Sequence, residues 1–321
     1  MRVSVVIPTY NSGPLVVEAV ESALGQTAPP HEVIVVDDGS TDDTADRLAR
    51  FGGRVRYVRQ ANARVAAARN AGLRAATGDA VAFLDADDAW HPEKLARQTA
   101  ALAADPSLGL LATRVFPWPG PYPDPGVSPD VKTIQTEAML PVNPITTSSV
   151  LVRRTVLDQA GEFDRELFGP EDYDLWLRCS RVAGVGILQQ PLTGYRDTPA
   201  SLGKQAETMY KGLIQIHQKL ADAGMWAGRP WFRRKCQAHV EYTTAYLHYA
   251  GGRPARAAGL MLRSLATYPA PLRPPDVRRP WSRVRLLLSA VGAATTRLVR
   301  SGRAQAARPT PAAATTPPGA T

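Results

Sequence analysis

The sequence predicts an α/β fold in which a mostly parallel sheet is covered by helices and followed by a C-terminal helical extension. Three observations carry that prediction. Short β-branched runs alternate with helical patterns over the first 115 residues. The runs are apolar throughout rather than every second residue, as strands covered on both faces must be. After Lys204 only helical patterns remain.

The expected strands of the first half are Val3–Ile7, Val33–Val36, Val55–Val58, Ala80–Leu84 and Leu108–Thr113, and the helices between them are Leu15–Leu24, Thr44–Phe51, Ala66–Ala76 and Pro92–Ala103. The stretch PWPGPYPDPGVSPD, 117 to 130, holds six prolines and is expected to be a loop or flap, because proline removes the backbone donor that regular structure needs. Structure resumes with a strand over Thr146–Val152, a short helix from Arg154 to Gln159, a helix opened by Pro170 and running to about Arg181, and a strand over Val185–Gln190. Helices over Gln205–Ala223, Trp231–Ala250 and Pro254–Ala266 form the extension, and Gly251-Gly252 suits the turn between the last two. The resulting division is a catalytic domain over 1–202 (halves 1–115 and 140–202), a helical extension over 203–270, a basic amphipathic segment over 271–303 and a disordered tail over 304–321.

With 321 residues, 44% hydrophobic and 21% charged, the chain can bury a full core. Cys179 and Cys236 have no spacing that suggests a disulfide framework or a zinc site. The start MRVSVVIPTYN does not read as a signal peptide. No apolar run approaches the ~18–20 residues of a spanning helix. A cytoplasmic protein is expected. The net charge of +9 is concentrated late, with nine arginines and one acid, Asp276, between Pro271 and Arg308. Such a segment suits an anionic membrane face, so peripheral contact through 271–303 is an expectation beside the plainer reading of a solubilising extension. No nucleic-acid-reading module accompanies it, and no nucleic acid partner is expected.

Ligands of open α/β sheets gather beyond the carboxyl ends of the strands. There the sequence places Pro8-Thr9-Tyr10-Asn11, Asp37-Asp38-Gly39-Ser40 and Asp85-Ala86-Asp87-Asp88, with Arg64 and Arg69 on the helix after the third strand. Crowded carboxylates repel and raise one another's pKa, a problem that a divalent cation removes. Oxygen-only ligands suit Mg²⁺ or Mn²⁺ shared with substrate phosphates. An acidic turn leading into the helix at Pro92 would account for the same residues, and GPEDYDLWLRC could be ordinary dipole pairing at a helix start.

Taken in order, the motifs resemble the family 2 glycosyltransferases of the GT-A fold, the nucleotide-diphospho-sugar transferase fold. VSVVIPTYN is similar to their first strand and nucleotide loop, and EVIVVDDGSTDDT to their second strand. NARVAAARNAGLRAATGDAVAFLDADDAWHPEKL resembles the stretch carrying their DxD metal motif. SSVLVRRTVLDQAGEFDREL and GPEDYDLWLRC resemble the acceptor-side segment with its catalytic ED, and GYRDTPAS the loop that closes over the donor. The resemblance spans roughly residues 2 to 202.

It implies an inverting sugar transfer from a nucleotide-diphosphate donor, with uridine expected, to an acceptor hydroxyl on a glycan or lipid-linked saccharide. Asp172 is the implied general base. Asp87 and Asp85 are the implied ligands of Mn²⁺ or Mg²⁺. Pro8, Thr9, Tyr10, Asp38, Arg69, Asp85 and Arg196 are the implied contacts of the nucleotide sugar, with Tyr195 beside Arg196 in the closing loop. Glu171, Arg64, Asp88 and Trp176 are outlying candidates. Glu171 and Asp174, if close, would raise the pKa of Asp172. Two departures stand out: Arg64 occupies a position where the family commonly has Gly, and Thr198 one where it often has His, leaving Asp197 as the substitute ligand. The rival readings are a non-catalytic sugar-nucleotide-binding scaffold of the same fold and a haloacid-dehalogenase-type phosphotransferase, which would want its DxD early in the chain.

Overall fold

The computed structural model describes residues 1–127, 130–198, 201–272 and 282–306, with the side chains at 202 and 297–306 left out. Two compact units divide the chain, residues 1–240 and 241–321. The strands are β1 (Val3–Thr9), β2 (Glu32–Asp37), β3 (Arg56–Arg59), β4 (Ala80–Phe83), β5 (Ala89–Trp90), β6 (Leu108–Trp118), β7 (Val131–Ile134), β8 (Leu151–Arg153) and β9 (Gly184–Arg196). The helices are α1 (Gly13–Leu24), α2 (Thr44–Ala49), α3 (Arg64–Ala75), α4 (Lys94–Ala104), α5 (Thr136–Met139), α6 (Arg154–Ala160), α7 (Glu171–Cys179), α8 (Ala206–Asp222), α9 (Pro230–Ala250), α10 (Pro254–Thr267) and α11 (Ser282–Ala306).

The nine strands among the described residues form one sheet in the order β3-β2-β1-β4-β8-β6-β9-β5, with β7 added on β9. The first four run parallel, which aligns the tips of β1, β2 and β4 at one edge. β8 is inserted antiparallel between β4 and β6. The apolar runs split by alternate residues into two cores. Val5, Ile7, Val33, Val35, Ala80, Ala82 and Leu84 face one, and Val6, Ile34, Val36, Val81 and Phe83 face the other. Each face is therefore covered, as solid apolar strands require. Helix α3 lies especially close to the sheet: a Cβ on Gly72 would meet Val6 Cγ1 at 2.3 Å. That contact seats the preceding turn of α3, with Arg69 and Asn70, against the strand tips.

Several boundaries differ from expectation. β6 continues through Pro117 to Trp118, inside the stretch expected to be irregular. Pro117 is tolerated because β6 pairs there with β9 alone, leaving its other edge without a partner strand. β9 runs to Arg196, so Gly194, Tyr195 and Arg196 are strand residues rather than loop. Thr147–Ser149 is a 3₁₀ turn, and only Leu151–Arg153 is strand. In this turn Thr147 Oγ1 donates to Asp172 and Ser148 Oγ to Asp88, while Ser149 Oγ donates back to Thr146 O. The helix after Asp88 starts at Lys94, because Ala89 and Trp90 first pair with β9.

In the second unit, Arg283 is buried and donates from Nη1 to the carbonyls of Ser264 (2.9 Å) and Tyr268 (2.7 Å). It joins α11 to the end of α10, so it is not part of the basic outer face the sequence suggested. Val284, Leu288 and Val291 are exposed at helical spacing. Arg273, Arg278, Arg279, Arg308 and the tail beyond 306 lie outside the described residues, as do the side chains of Arg297, Arg300 and Arg303. No helix among the described residues is long and apolar enough to cross a membrane.

Candidate active site

The β1 and β2 tips are stitched together before they form any site. Asp38 N–H donates to Thr9 O (2.8 Å), Asn11 N–H to Ser40 Oγ (2.9 Å) and Thr41 N–H to Asn11 Oδ1 (2.8 Å). Asp37 is buried. Although burial works against its charge, bonds from Ser40 and from the Tyr57 hydroxyl hold its carboxyl below the usual range, so it is a turn-former. Asp38 Oδ1 accepts from Gln60 Nε2 (2.7 Å) and Ala63 N–H (2.9 Å). Its Oδ2 has no hydrogen bond among the described residues. Beside it Thr9 is buried, with an Oγ1 that lacks a partner among the described residues. Pro8 is buried within β1, and Tyr10 is half exposed just beyond it.

Buried Arg69 organises the β4 tip. Its Nη2 donates to Asp85 Oδ1 (2.6 Å) and its Nη1 to Glu171 Oε1 (2.7 Å). Burial opposes its charge, but Asp85 and Glu171 more than restore it, so the guanidinium stays protonated. One side chain thus ties the aspartate strand to the start of α7, a link over 102 positions in the chain. Asp87 is half-buried and accepts from no other side chain among the described residues. Burial and the charge of Asp85 push its carboxyl up to about 6. Asp88 is buried and committed elsewhere: Oδ2 accepts from Ser148 Oγ (2.6 Å) and Oδ1 from Arg196 N–H (2.9 Å). Burial and Asp85 raise it to about 8.

Asp172 stands at the first turn of α7. Its Oδ2 accepts from Thr147 Oγ1 (2.8 Å) and, at 3.4 Å, from Asn143 Nδ2, and its Oδ1 from Tyr173 N–H (2.6 Å). Burial first, then the charge of Glu171, raises its carboxyl to about 6. Glu171 therefore acts on it as expected, but Asp174 does not. Asp174 turns away to Arg178 (2.8 Å) and Lys219 (2.6 Å).

Other expected residues fall differently. Arg196 braces the aspartate loop through Nε to Asp87 O (2.8 Å) and reaches Glu18 through Nη2 (2.6 Å). Asp197 is engaged by Lys204 (2.5 Å) and Thr198 by Ser201 (2.9 Å), so neither is held toward the aspartates. Trp176 lies in the core between Phe83 and Phe163, behind the site. Arg64 is exposed, opens α3 with φ 71 and stacks over Phe168 at 5.0 Å. A left-handed backbone strains a residue with a Cβ by roughly 1–2 kcal/mol, which is the physical reason a glycine suits this position. Glu18, Asn143, Thr147 and Ser148 were not anticipated. Asn143, Thr147 and Ser148 lie in a run of small polar residues, NPITTSS, whose end falls in the strand expected over Thr146–Val152, and Glu18 carried no signal of its own.

Residues 4–158 match the sequence profile of the family described as Glycosyl transferase family 2. Over that stretch the chain is similar to the family 2 glycosyltransferases. An uncharacterized glycosyltransferase of Nostoc sp., alr2836, is 39% identical over 115 residues, 35% of this chain and 36% of that one. The chain spans about a third of the length of the first curated relatives it matches. Among solved structures, S. aureus TarS 1-349 in complex with UDP-GlcNAc superposes with a TM-score of 0.56 at 18% identity, covering 94% of this chain and 92% of that one. The mannosyltransferase PcManGT from Pyrobaculum calidifontis, in complex with GDP-Man and Mn²⁺, gives a TM-score of 0.52 at 22% identity over 92% and 87% of the two chains. The fold is GT-A. Within the family 2 match lie the β1 and β2 tips, Arg69 and the aspartates of the β4 tip; Asp172 and Arg196 lie beyond it.

Proposed function

We propose that the chain is an inverting hexosyltransferase that moves a sugar from a nucleoside-diphosphate donor to an acceptor hydroxyl, with Asp172 as general base. The observation that carries this reading is the Arg69 bridge, which joins the Asp85 side of the DxD to the helix start bearing Asp172.

The nucleoside would sit on the β1 and β2 tips. Asp38 Oδ2 is available to accept an N–H from the base, and the half-exposed Tyr10 offers a ring face. The TarS complex favours a uridine donor, and the GDP-Man complex keeps guanosine as the second choice. Asp87 and Asp85 fit a divalent cation, Mn²⁺ or Mg²⁺. They offer oxygen donors only, and burial together with the charge of Asp85 raises the carboxyl of Asp87, a repulsion that a cation would relieve. Among the described residues no group of three His, Cys, Asp or Glu could hold a metal unaided, so diphosphate oxygens and water would complete it. When bound, the cation offsets charge on the departing diphosphate.

The acceptor oxygen attacks the anomeric carbon from the face opposite the diphosphate. The new carbon–oxygen bond forms as the bond to the diphosphate oxygen breaks, and that electron pair leaves with the nucleoside diphosphate. The hydroxyl proton passes to Asp172. Thr147, Asn143 and the Tyr173 N–H fix the carboxylate, and its raised pKa makes it a better base while leaving it ionised at neutral pH. Arg196 and Glu18 hold the aspartate loop from the other side.

The acceptor we favour is a glycan or lipid-linked saccharide. The exposed Val284, Leu288 and Val291 of α11 support peripheral contact with a membrane. Asp172→Asn should keep UDP binding and lower transfer by about 10²–10⁴-fold, the usual weight of a general base. Full transfer by that variant would remove Asp172 from the mechanism.

A further inference from the structure

Behind the aspartate loop lies a ladder of buried polar groups that the transfer chemistry does not use. Trp90, Lys94 and Gln98 are fully enclosed. Lys94 Nζ meets no carboxylate within ion-pair distance among the described residues. It donates to Gln98 Oε1 (2.8 Å) and lies 4.1 Å from the centroid of the Trp90 ring. Gln98 Nε2 in turn donates to Ser149 O (2.9 Å) and Leu111 O (2.6 Å), and Trp90 Nε1 donates to Ser148 O (2.7 Å). The ladder therefore ends on the backbone of the Thr147–Ser149 turn. Buried polar groups are costly to leave unpaired, so these bonds favour one arrangement of that turn.

With its side chains the same turn holds both halves of the site. Ser148 is fully enclosed, and its Oγ accepts from Asp85 N–H (3.0 Å) and donates to Asp88 Oδ2 (2.6 Å). The neighbouring Thr147 Oγ1 donates to Asp172 Oδ2 (2.8 Å). We infer that Thr147 and Ser148 are positioning residues that fix the base against the aspartate loop, an inference that rests on the transferase reading above. Successive Cα atoms are about 3.8 Å apart across a planar peptide, so carboxylates held by adjacent residues cannot drift apart without breaking a bond. Arg69 is a second strut, between Asp85 and Glu171. One strut alone would let the helix start bearing Asp172 swing about it, and two oppose that motion. The two hydroxyls have separable effects. Burial and then Glu171 raise the carboxyl of Asp172, while Arg69 and the bond from Thr147 lower it, because a bond donated to a carboxylate favours its charged form. Ser148 donates nothing to Asp172 and acts on the loop that carries Asp85 and Asp87.

The test uses the full chain and needs no transfer. The Asp172 carboxyl is followed by NMR of protein labelled with ¹³C-aspartate, its signal assigned by its loss in Asp172→Asn, and UDP binding in the presence of Mn²⁺ is followed by titration calorimetry. Thr147→Val should move the Asp172 midpoint from about 6 to about one pH unit higher, a tenfold effect of one lost hydrogen bond to a charged group, while changing UDP affinity less than twofold. Val keeps the shape of Thr, and Thr147→Ser, which keeps the hydroxyl, should restore the midpoint, so misfolding does not explain the shift. Ser148→Ala should do the reverse, weakening UDP about tenfold and leaving the Asp172 midpoint in place. An unmoved midpoint in Thr147→Val, a Thr147→Ser variant that behaves like Thr147→Val, or a Ser148→Ala variant that binds UDP like the wild type overturns the inference. If all three variants behave as expected but the chain releases no nucleoside diphosphate from any nucleotide sugar, the positioning role of the turn stands and the transferase reading falls.

Discussion

Replacing Glu171 with Gln tests the electrostatics of the base directly. Glu171 and Arg69 are both nearly enclosed, at 4% and 5% side-chain exposure, and 2.7 Å apart. The variant removes a negative charge beside Asp172 and returns more of the Arg69 charge to it. Both effects lower the carboxyl from about 6. A fall of about one pKa unit corresponds to about 1.4 kcal/mol between the two protonation states. At pH 5 the ionised fraction would then rise from about a tenth to about a half, a roughly fivefold gain in the population of active base. Stability moves the other way. Breaking one partner of a buried pair costs about 3–5 kcal/mol, and the low end applies because Arg69 keeps Asp85 and Gln can still accept from Gly169 N–H. The assay is nucleoside diphosphate release across pH 4.5 to 8, with thermal unfolding run in parallel. An acid limb that stays at the wild-type pH in a folded variant would refute the coupling of Glu171 to the base.

Two further outcomes follow from the same geometry. At the proposed metal site Mn²⁺ would have to displace a proton from Asp87, whose carboxyl burial and Asp85 raise to about 6. Its affinity should therefore fall about tenfold per pH unit below 6 and be flat above it, and titration calorimetry with Mn²⁺ checks the slope. A pH-independent affinity would exclude Asp87 as a ligand. Leu288→Glu with Val291→Glu on the exposed face of α11 should lower flotation with anionic vesicles, and unchanged flotation would remove α11 from membrane contact.

What the sequence made legible was local. β1, β2 and β4 are uninterrupted apolar runs, and their tips follow from the turn chemistry of DDGS and the abrupt acids of FLDADD. Motif order pointed to one site for Asp38, Asp85, Asp87 and Asp172, and the Arg69 bridge ties the Asp85 strand end to the helix start bearing Asp172. The part that escaped was non-local. Thr147 reaches Asp172 over 25 positions and Glu18 reaches Arg196 over 178, and no periodicity marks such a pair. Asp88 and Arg196 resembled ligand contacts in the sequence, yet each is drawn into bracing the other, Arg196 by its backbone N–H. Trp176 is a core residue because α7 is apolar on the face it turns to Phe83 and Phe163. Arg64 is the reverse case, where a departure from a glycine became intelligible only through its φ.

Sugar transfer from a nucleotide donor is tested most directly by incubating the chain and Mn²⁺ with a panel of nucleotide sugars. Nucleoside diphosphate should be released from at least one donor, a uridine one, and release should collapse in Asp87→Asn. No release from any donor, or equal release by that variant, would contradict it.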